Sequence, residues 1–365
     1  MTGRSEDGSF LGRMLESPPE MTRKRAAFSR SPALSLILAA LTAGAISPAA
    51  GADPPERIHL RVLHERYLSF APIAIARAEG FFRAQGLDVE WVVLPGSSNE
   101  TAPALIQGQL DVVVGILRIG TFNAIARGAP LRVVADKGHF EAGPCVPAAF
   151  VARRAFVEAG SPDRPERLRG ARVAARPLGF PEYLLEILLG RMGLALTDLR
   201  MIRIPEVMVA EAIANDSLDA GQLAEPDLTR VLKTGRAVVW KSVQEISPGA
   251  QLATVAFGPS LLERNREAGR RFMVAYLLGV RQYNRGKTDR NVAAISKETG
   301  LDPELVRDTC WQPIRADGQI NVESVLDFQR WAVRRGALDA VVPPEKFWDP
   351  SFVEEAVKVL GPPKP

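Results

Sequence analysis

The segment from residue 87 to residue 114 contains two apolar strands joined by a helical stretch, and this arrangement limits the fold more than any other feature. Within this segment, Leu87–Leu94 is predicted as a strand, a polar turn and a short helix follow, and Leu110–Val114 is a second apolar strand. Strands joined through a helical crossover lie parallel in one sheet, whereas tight hairpin turns join antiparallel neighbours. The alternation begins at Ile58–Leu63 and recurs along the chain. The sequence therefore predicts an α/β protein with mainly parallel sheets flanked by helices.

The turn of this unit reads PGSSNETAP and carries many polar side chains. Ser97 and Glu100 have the S-x-x-E spacing of a capping box, which would make Ser97 the N-cap of the helix. A helix capped at Ser97 would place Pro103 in its interior, where a proline removes a hydrogen bond and costs about 3 kcal/mol. We therefore expect the helix to start between Asn99 and Thr101, which leaves Ser97 and Ser98 in a loop that can contact a ligand.

Two breaks in the alternation divide the chain into two predicted lobes. The sequences DKGHFEAGPCVP at 136–147 and ISPG at 246–249 are both rich in residues that favour turns. The predicted organisation is an N-terminal extension and signal peptide at 1–52, a first lobe at 53–143 and 249–365 that ends in a helical segment, and an inserted second lobe at 144–248. Two lobes joined by two crossings form a cleft, and ligands of open α/β sheets lie beyond the carboxyl ends of the strands.

The N-terminus has the features of a secretory signal peptide. Basic residues follow Met21, an uncharged and mostly apolar run covers Ala33–Ile46, and residues 50–52 fit the A-x-A pattern of a cleavage site. The apolar run is shorter than the roughly 20 residues that a membrane-spanning helix needs. We expect cleavage near Ala52-Asp53 and a periplasmic mature protein, with Met1 and Met21 as alternative starts.

Several kinds of chemistry are not indicated. The chain lacks the G-x-S-x-G motif of serine hydrolases, the H-E-x-x-H motif of zinc proteases and the Walker A motif of phosphate-binding loops. No G-x-G-x-x-G motif of dinucleotide-binding folds follows the predicted strand at Ile58–Leu63. His64 lies at a strand end, where it is either a solvated histidine or a base for Ser97 or Ser98. No block of Lys and Arg is interleaved with aromatic residues, so a nucleic-acid surface is not indicated. We predict no catalytic residue, no metal site and no cofactor.

The two cysteines, Cys145 and Cys310, are too few for a Cys-rich zinc or iron–sulfur site. An oxidising compartment permits a disulfide bond between them. The sequence gives no distance between the two thiols, so their pairing stays open.

Helix N-termini offer free N–H groups and a partial positive charge, which suit anionic groups. Three such ends are expected at the cleft, near Pro72, after Asn99 and after Leu117. Arg118 lies near the last of these helix ends, and Arg176 lies at a strand end of the inserted lobe. Each is either a partner of an anionic ligand or an ordinary surface side chain.

Several short segments occur in an informative order. They are ARAEGFF at Ala76–Phe82 followed by QGLDVE, ALIQGQLDVVVG at Ala104–Gly115, LRGARV at Leu168–Val173, and LDA at Leu218–Ala220 followed by Glu225-Pro226. In this order they resemble the periplasmic substrate-binding proteins of ABC importers, in the group that binds nitrate, sulfonates, taurine and pyrimidine precursors. The resemblance covers Ile58 to about Asn284.

The resemblance implies a two-lobed type II binding fold that closes on a ligand. It also implies a monomer that delivers its ligand to a permease with a cytoplasmic ATPase. The ligand contacts carried over from the family are Tyr67, Ser69, Ser97, Ser98, Asn99, Leu117, Arg118, Gly179, Phe180 and Glu225.

One part of the pattern departs from the family. Gly179-Phe180-Pro181 replaces the small polar residues of many sulfonate binders, which favours a bulkier or less polar ligand, and Glu225 favours a ligand with a donor or cationic group. We therefore predict a non-enzymatic receptor for a small anionic or zwitterionic organic molecule. The alternatives are an enzyme on the same fold, of the pyrimidine synthase or desulfinase type, and a ligand-sensing domain for a signalling partner.

Overall fold

The computed structural model describes residues 57–64, 67–94 and 100–363. The predicted signal peptide with its cleavage site, and the loop residues Ser97, Ser98 and Asn99, lie outside the described residues. The strands are β1 (Ile58–Leu63), β2 (Leu87–Val92), β3 (Val112–Ile116), β4 (Arg132–His139), β5 (Ala148–Arg153), β6 (Arg172–Ala174), β7 (Arg200–Met201), β8 (Ala220–Ala224), β9 (Ala237–Ser242) and β10 (Gln251–Phe257).

Helices follow most strands and fill the C-terminal third of the chain. They are α1 (Ala71–Ala78), α2 (Phe81–Ala84), α3 (Thr101–Ile106), α4 (Ile119–Ala126), α5 (Arg154–Glu158), α6 (Pro165–Leu168), α7 (Phe180–Arg191), α8 (Val209–Ala214), α9 (Asp227–Lys233), α10 (Val243–Ile246), α11 (Arg266–Tyr283), α12 (Asp289–Thr299), α13 (Pro303–Asp308), α14 (Val322–Arg334), α15 (Pro344–Phe347) and α16 (Ser351–Leu360). Single helical turns also occur at Leu68–Phe70, Leu196–Asp198, Glu206–Met208 and Ser260–Arg264.

The strands form two five-stranded sheets, with the orders β2-β1-β3-β10-β4 and β7-β6-β8-β5-β9. In the first sheet β1 pairs in parallel with β2 and β3, and β10 is antiparallel to both of its neighbours. In the second sheet β6 pairs in parallel with β7 and β8, and β5 is the antiparallel strand. The predicted fold class, two mainly parallel sheets flanked by helices, is confirmed.

Two local boundaries bear on the sequence predictions. The helix after the polar turn begins at Thr101, within the predicted range, so Pro103 lies in its first turn where the missing N–H costs little. Strand β4 continues to His139, so the expectation that Asp136 opens an irregular linker is wrong. The buried network around Asp136, described below, holds this extra length in the sheet.

The two sheets share one stabilising device, which the sequence shows as Leu110-Asp111 and Leu218-Asp219. Asp111 accepts hydrogen bonds from the backbone N–H (2.8 Å) and the guanidinium (3.2 Å) of Arg61 in β1. Asp219 accepts the same set from Arg172 in β6, at 2.8–3.1 Å. Each aspartate is buried and comes directly before a strand, which it joins to the neighbouring parallel strand. A charged acceptor of this kind is stronger than a neutral one.

The core beneath the first sheet is made chiefly by α1 and α11, which approach each other very closely. A Cβ atom on Gly279 of α11 would lie 2.3 Å from the carbonyl oxygen of Pro72 and 2.9 Å from the Cβ of Ala76 in α1. Glycine is therefore required by packing at this position. Among the helices that the structure describes, none is long and apolar enough to cross a membrane.

A buried polar network ties together the two segments that connect the sheets. The Gln251 side chain, at the start of β10, donates to the Asp136 carboxylate of β4 at 2.7 Å. The same carboxylate contacts His139 Nδ1 at 2.9 Å and accepts from the Arg315 backbone N–H at 2.8 Å. The network holds both connections beside the cleft, because buried polar groups that lose their partners are costly.

Candidate ligand-binding site

A cavity of about 360 Å³ lies where the carboxyl ends of strands from both sheets meet. Ile116 ends β3 of the first sheet and Ala224 ends β8 of the second, and both line this inner cavity. Strand ends in parallel α/β sheets are the usual location of ligands. The volume is in the range of small-molecule sites.

The predicted contacts are brought together here from distant parts of the chain. Those that line the inner cavity are Tyr67, Ser69, Leu117, Arg118, Gly179, Phe180 and Glu225. Ser97, Ser98 and Asn99 lie outside the described residues, so their roles stay predictions. The described residues thus bring the loop after β1, the end of β3, the start of α7 and the end of β8 around one space.

Glu225 is a buried carboxylate held in a fixed orientation at the end of β8. Its Oε1 accepts from the Thr229 hydroxyl (2.8 Å) and the Cys310 backbone N–H (3.0 Å), and its Oε2 accepts from the Thr229 backbone N–H (3.0 Å). Burial raises the pKa of Glu225, and these donors offset part of the rise. The Glu225 carboxylate is therefore a hydrogen-bond acceptor beside the cavity, and burial of its charge costs desolvation free energy.

A disulfide bond supports this end of the cavity. Cys145, in the segment before β5, is bonded to Cys310, which follows α13, with a Cα–Cα distance of 5.4 Å. The pairing that the sequence left open is therefore present in the structure. Cys310 also lines the cavity and donates its N–H to Glu225 at 3.0 Å. The cross-link holds this donor in place, because it anchors Cys310 to the chain that leads into β5.

The two arginines of the cavity have different surroundings. Arg118 is the residue before α4, with an extended backbone, and it lines the cavity from the first sheet. Arg176 follows β6, and its guanidinium donates to the Glu206 carboxylate at 2.7 Å. A Cβ on Gly179 would lie 3.1 Å from the Arg176 side chain, so the glycine leaves room for this orientation. Arg176 thus enters the site as half of an ion pair.

Phe180 separates the cavity from a cluster of aromatic rings. It stacks on Phe140 with ring centroids 6.4 Å apart, and it lies 5.7 Å from Tyr183 and 5.8 Å from Phe328. The ring is almost fully buried. Phe180 therefore both packs in the core and forms one wall of the site.

A second, outer cavity of about 810 Å³ continues from the inner one. The two share Tyr67, Arg118, Arg176, Glu206 and Gln222 among their lining residues, so they are consecutive parts of one cleft. The outer cavity reaches Arg203 and His64, and exposed apolar side chains at Val93 and Val207 lie on its two sides. The cleft therefore runs from the smaller inner cavity into the larger outer one.

Some polar lining residues were not predicted as contacts. Gln222 lies inside β8, and Asn123 lies in α4 with its amide donating to the Ala337 carbonyl at 2.9 Å. Gln312 comes from the C-terminal part of the chain and donates to the His139 carbonyl. The one available signal was Gln222, a polar residue inside an otherwise apolar strand.

The described residues contain no group of three or more His, Cys, Asp or Glu side chains arranged to hold a metal ion. The inner lining instead has two guanidinium groups, two carboxylates, three side-chain amides and apolar walls. Such a lining can bind and orient an organic molecule with polar ends.

Sequence comparison identifies the family. The sequence model of the NMT1/THI5-like family matches residues 68–284, which is more than half of the chain. The chain belongs to the NMT1/THI5-like family. Among curated protein sequences, none matches it.

Solved structures show which proteins share the fold of this NMT1/THI5-like chain. The periplasmic nitrate-binding protein NrtA from Synechocystis PCC 6803 is 15% identical, with a TM-score of 0.67 over 84% of this chain and 90% of its own. The periplasmic aliphatic sulphonate-binding protein SsuA from Escherichia coli is 18% identical, with a TM-score of 0.63 over 81% and 93%. The predicted resemblance to periplasmic binding proteins is confirmed at the level of fold.

An enzyme also shares the fold. The desulfurization enzyme DSZB is 13% identical to this chain, with a TM-score of 0.59 over 83% of this chain and 100% of its own. Identities this low establish the common architecture and leave the ligand to be inferred from the residues of the cleft.

Proposed function

We propose that the protein is the extracytoplasmic solute-binding component of an ABC importer. It captures a small anionic or zwitterionic organic molecule and delivers this ligand to a permease. We propose that it acts as a monomer. The observation that carries the proposal is the inner cavity, in which loops at the strand ends of both sheets surround one space. Binding proteins of this architecture close two lobes around a ligand by a hinge motion.

The lobe boundaries belong to the same proposal. We assign 53–143 and 249–365 to the first lobe and 144–248 to the inserted second lobe, with the signal peptide at 1–52. The composition of the sheets supports this division, because β5 to β9 form one sheet and the remaining strands form the other. The mature protein is expected in the periplasm.

The disulfide supports binding without turnover. The chain has two cysteines, and both are in the bond between Cys145 and Cys310. A cysteine nucleophile acts as the thiolate, so neither residue supplies one in this state. The cleft residues His64 and Ser69 also have no mutual hydrogen bond among the contacts of the described chain, where His64 Nε2 instead lies 3.3 Å from the Glu298 carbonyl.

A thermal-shift screen of protein starting at Asp53 tests the proposal. The panel contains sulfonates, nitrate, aromatic carboxylates, amino acids, pyrimidines and polyamines. A ligand at one hundred times its Kd adds about 2.7 kcal/mol to the free energy of unfolding, which gives a measurable rise in Tm. A compound that raises Tm and is recovered unchanged after incubation supports a receptor. A compound that is converted supports the enzyme alternative, and no shift from any compound contradicts the proposal.

A further inference from the structure

The charged groups of the cleft are arranged in order along its length. Glu225 lines only the inner cavity, and Arg203 lines only the outer one. Arg118, Arg176 and Glu206 line both, so they lie between the two. Among the described residues, the inner end therefore carries a carboxylate, and guanidinium groups predominate toward the outside.

The inner carboxylate is able to accept a further hydrogen bond. Ionised carboxylates have about four acceptor positions. On Glu225, Thr229 and Cys310 supply three donors, two to Oε1 and one to Oε2. Among the described residues Oε2 accepts one hydrogen bond, so it can accept another from a ligand in the cavity that Glu225 lines.

An ion buried at this end is costly unless a donor or opposite charge faces it. Glu225 is only 7% exposed, and no Lys or Arg side chain is within ion-pair distance of it among the described contacts. A buried carboxylate is stabilised most by a cation that also donates a hydrogen bond. An ammonium or amidinium group on the ligand supplies both.

The inner cavity has apolar side chains in its lining as well as the amides of Asn123, Gln222 and Gln312. Leu117, Leu178, Phe180 and Leu252 line the inner cavity. A ligand that reaches from Glu225 to the arginines can therefore pack an apolar body on these side chains, where polar groups without a partner would lose their hydration.

We propose that the ligand is an amino-bearing acid that binds in one direction, with its cationic N–H group inward at Glu225 and its acidic group outward toward Arg118, Arg176 and Arg203. This inference rests on the proposed function and narrows its ligand class from anionic or zwitterionic to zwitterionic. It also assigns Glu225 as the residue that selects against simple anions.

Matched sets of three compounds on one skeleton test the inference. One series contains n-alkanoates, ω-amino acids and n-alkylamines of graded chain length. A second contains 4-methylbenzoate, 4-(aminomethyl)benzoate and 4-methylbenzylamine. Affinities are measured by calorimetry on wild-type protein starting at Asp53. We expect the zwitterion of the best-fitting skeleton to bind about tenfold or more tightly than its acid-only partner, because it gains a charge-assisted hydrogen bond.

The variant Glu225→Gln tests the direction of binding. It removes the charge at the inner end and should reduce the preference for the zwitterion to about threefold or less, with the loss confined to the two amino-bearing members of each set. Glu211→Gln, an exposed glutamate on α8 outside the cleft, is the matched control and should keep the full preference. The melting temperature of each variant reports whether it folds. The affinities measured on wild-type protein test the preference for the zwitterion even if a variant does not fold.

The outcomes separate the two levels of the proposal. If acid-only compounds bind as tightly as zwitterions, or if folded Glu225→Gln keeps the preference, the inference is overturned and the receptor proposal remains. If no compound of either series binds and the wider solute panel also fails, both are overturned.

Discussion

Removal of the disulfide bond should lower the stability of the whole protein by a large amount. Cys145 and Cys310 are 165 residues apart, and the loop that they close contains the entire second sheet. A cross-link stabilises mainly by restricting the unfolded chain, and the chain-entropy relation gives about 5 kcal/mol for a loop of this length. Measured losses for native disulfides are about 2–5 kcal/mol, so this is the range expected for the double variant Cys145→Ser/Cys310→Ser.

The measurement is urea unfolding at equilibrium, followed by tryptophan fluorescence, on protein that starts at Asp53. The midpoint should fall in the double variant. The slope should rise, because an unfolded chain without the cross-link exposes more surface to urea. Wild-type protein treated with a reducing agent is the matched control and should reproduce the double variant. In thermal unfolding each kcal/mol corresponds to roughly 2–4 °C in Tm for a protein approaching this size.

The bond should also affect the ligand site, because Cys310 donates to Glu225 at 3.0 Å. We expect the reduced protein to bind its ligand more weakly at temperatures where it is still folded. An equal midpoint and slope for the double variant and the oxidised wild type would contradict stabilisation by loop closure. Equal ligand affinity in the two forms would refute the structural link between the bond and the site.

Two further stability predictions have matched controls. Burial would raise the pKa of Asp219, but hydrogen bonds and charge from Arg172 and Arg153 together outweigh it and hold the pKa below the ordinary 3.8. This carboxylate therefore stabilises the fold above that pH and loses its contribution as the pH falls. Asp219→Asn should therefore cost about 1.5–3 kcal/mol at pH 7 in urea unfolding, with a gap to wild type that narrows below about pH 4, whereas the exposed Asp216→Asn should change little. Gly279→Ala should lower the free energy of unfolding by about 1–3 kcal/mol or more, because the added Cβ meets α1. Gly190→Ala, on an open helix surface, should raise it by about 0.5–1 kcal/mol. Equal effects of the two substitutions would contradict close packing at Gly279.

The fold was predictable because the signals that determine it are local. Alternating apolar strands and helices specify a layered α/β protein, and Pro103 alone places the start of α3 near Thr101. Strand-end positions such as Tyr67 and Glu225 could be assigned to a cleft because parallel strands end at the same edge of a sheet.

Features that depend on distant parts of the chain were not predictable. The pairing of Cys145 with Cys310 and the position of Gln312 at the cavity depend on how the C-terminal segment packs against the crossing between the sheets. The ion pair between Arg176 and Glu206 was not predictable either, because nothing in the sequence around one residue identifies the other as its partner. Strand β4 was longer than predicted because tertiary hydrogen bonds to Asp136 extend it.

Ligand binding in the cleft is tested directly by a substitution that fills the inner cavity. Gly120 of α4 lines this cavity, and a Cβ placed there meets no atom within 4 Å, so Gly120→Phe should fold normally and occupy the ligand space. Gly190→Phe is the matched control, an exposed helix glycine with equally open surroundings outside the cleft. Both variants and wild type are screened by thermal shift against the same solute panel. We expect the compounds that stabilise wild type to stabilise Gly190→Phe as well and to have no effect on Gly120→Phe. Equal stabilisation of a folded Gly120→Phe would show that the ligand does not bind in the cleft.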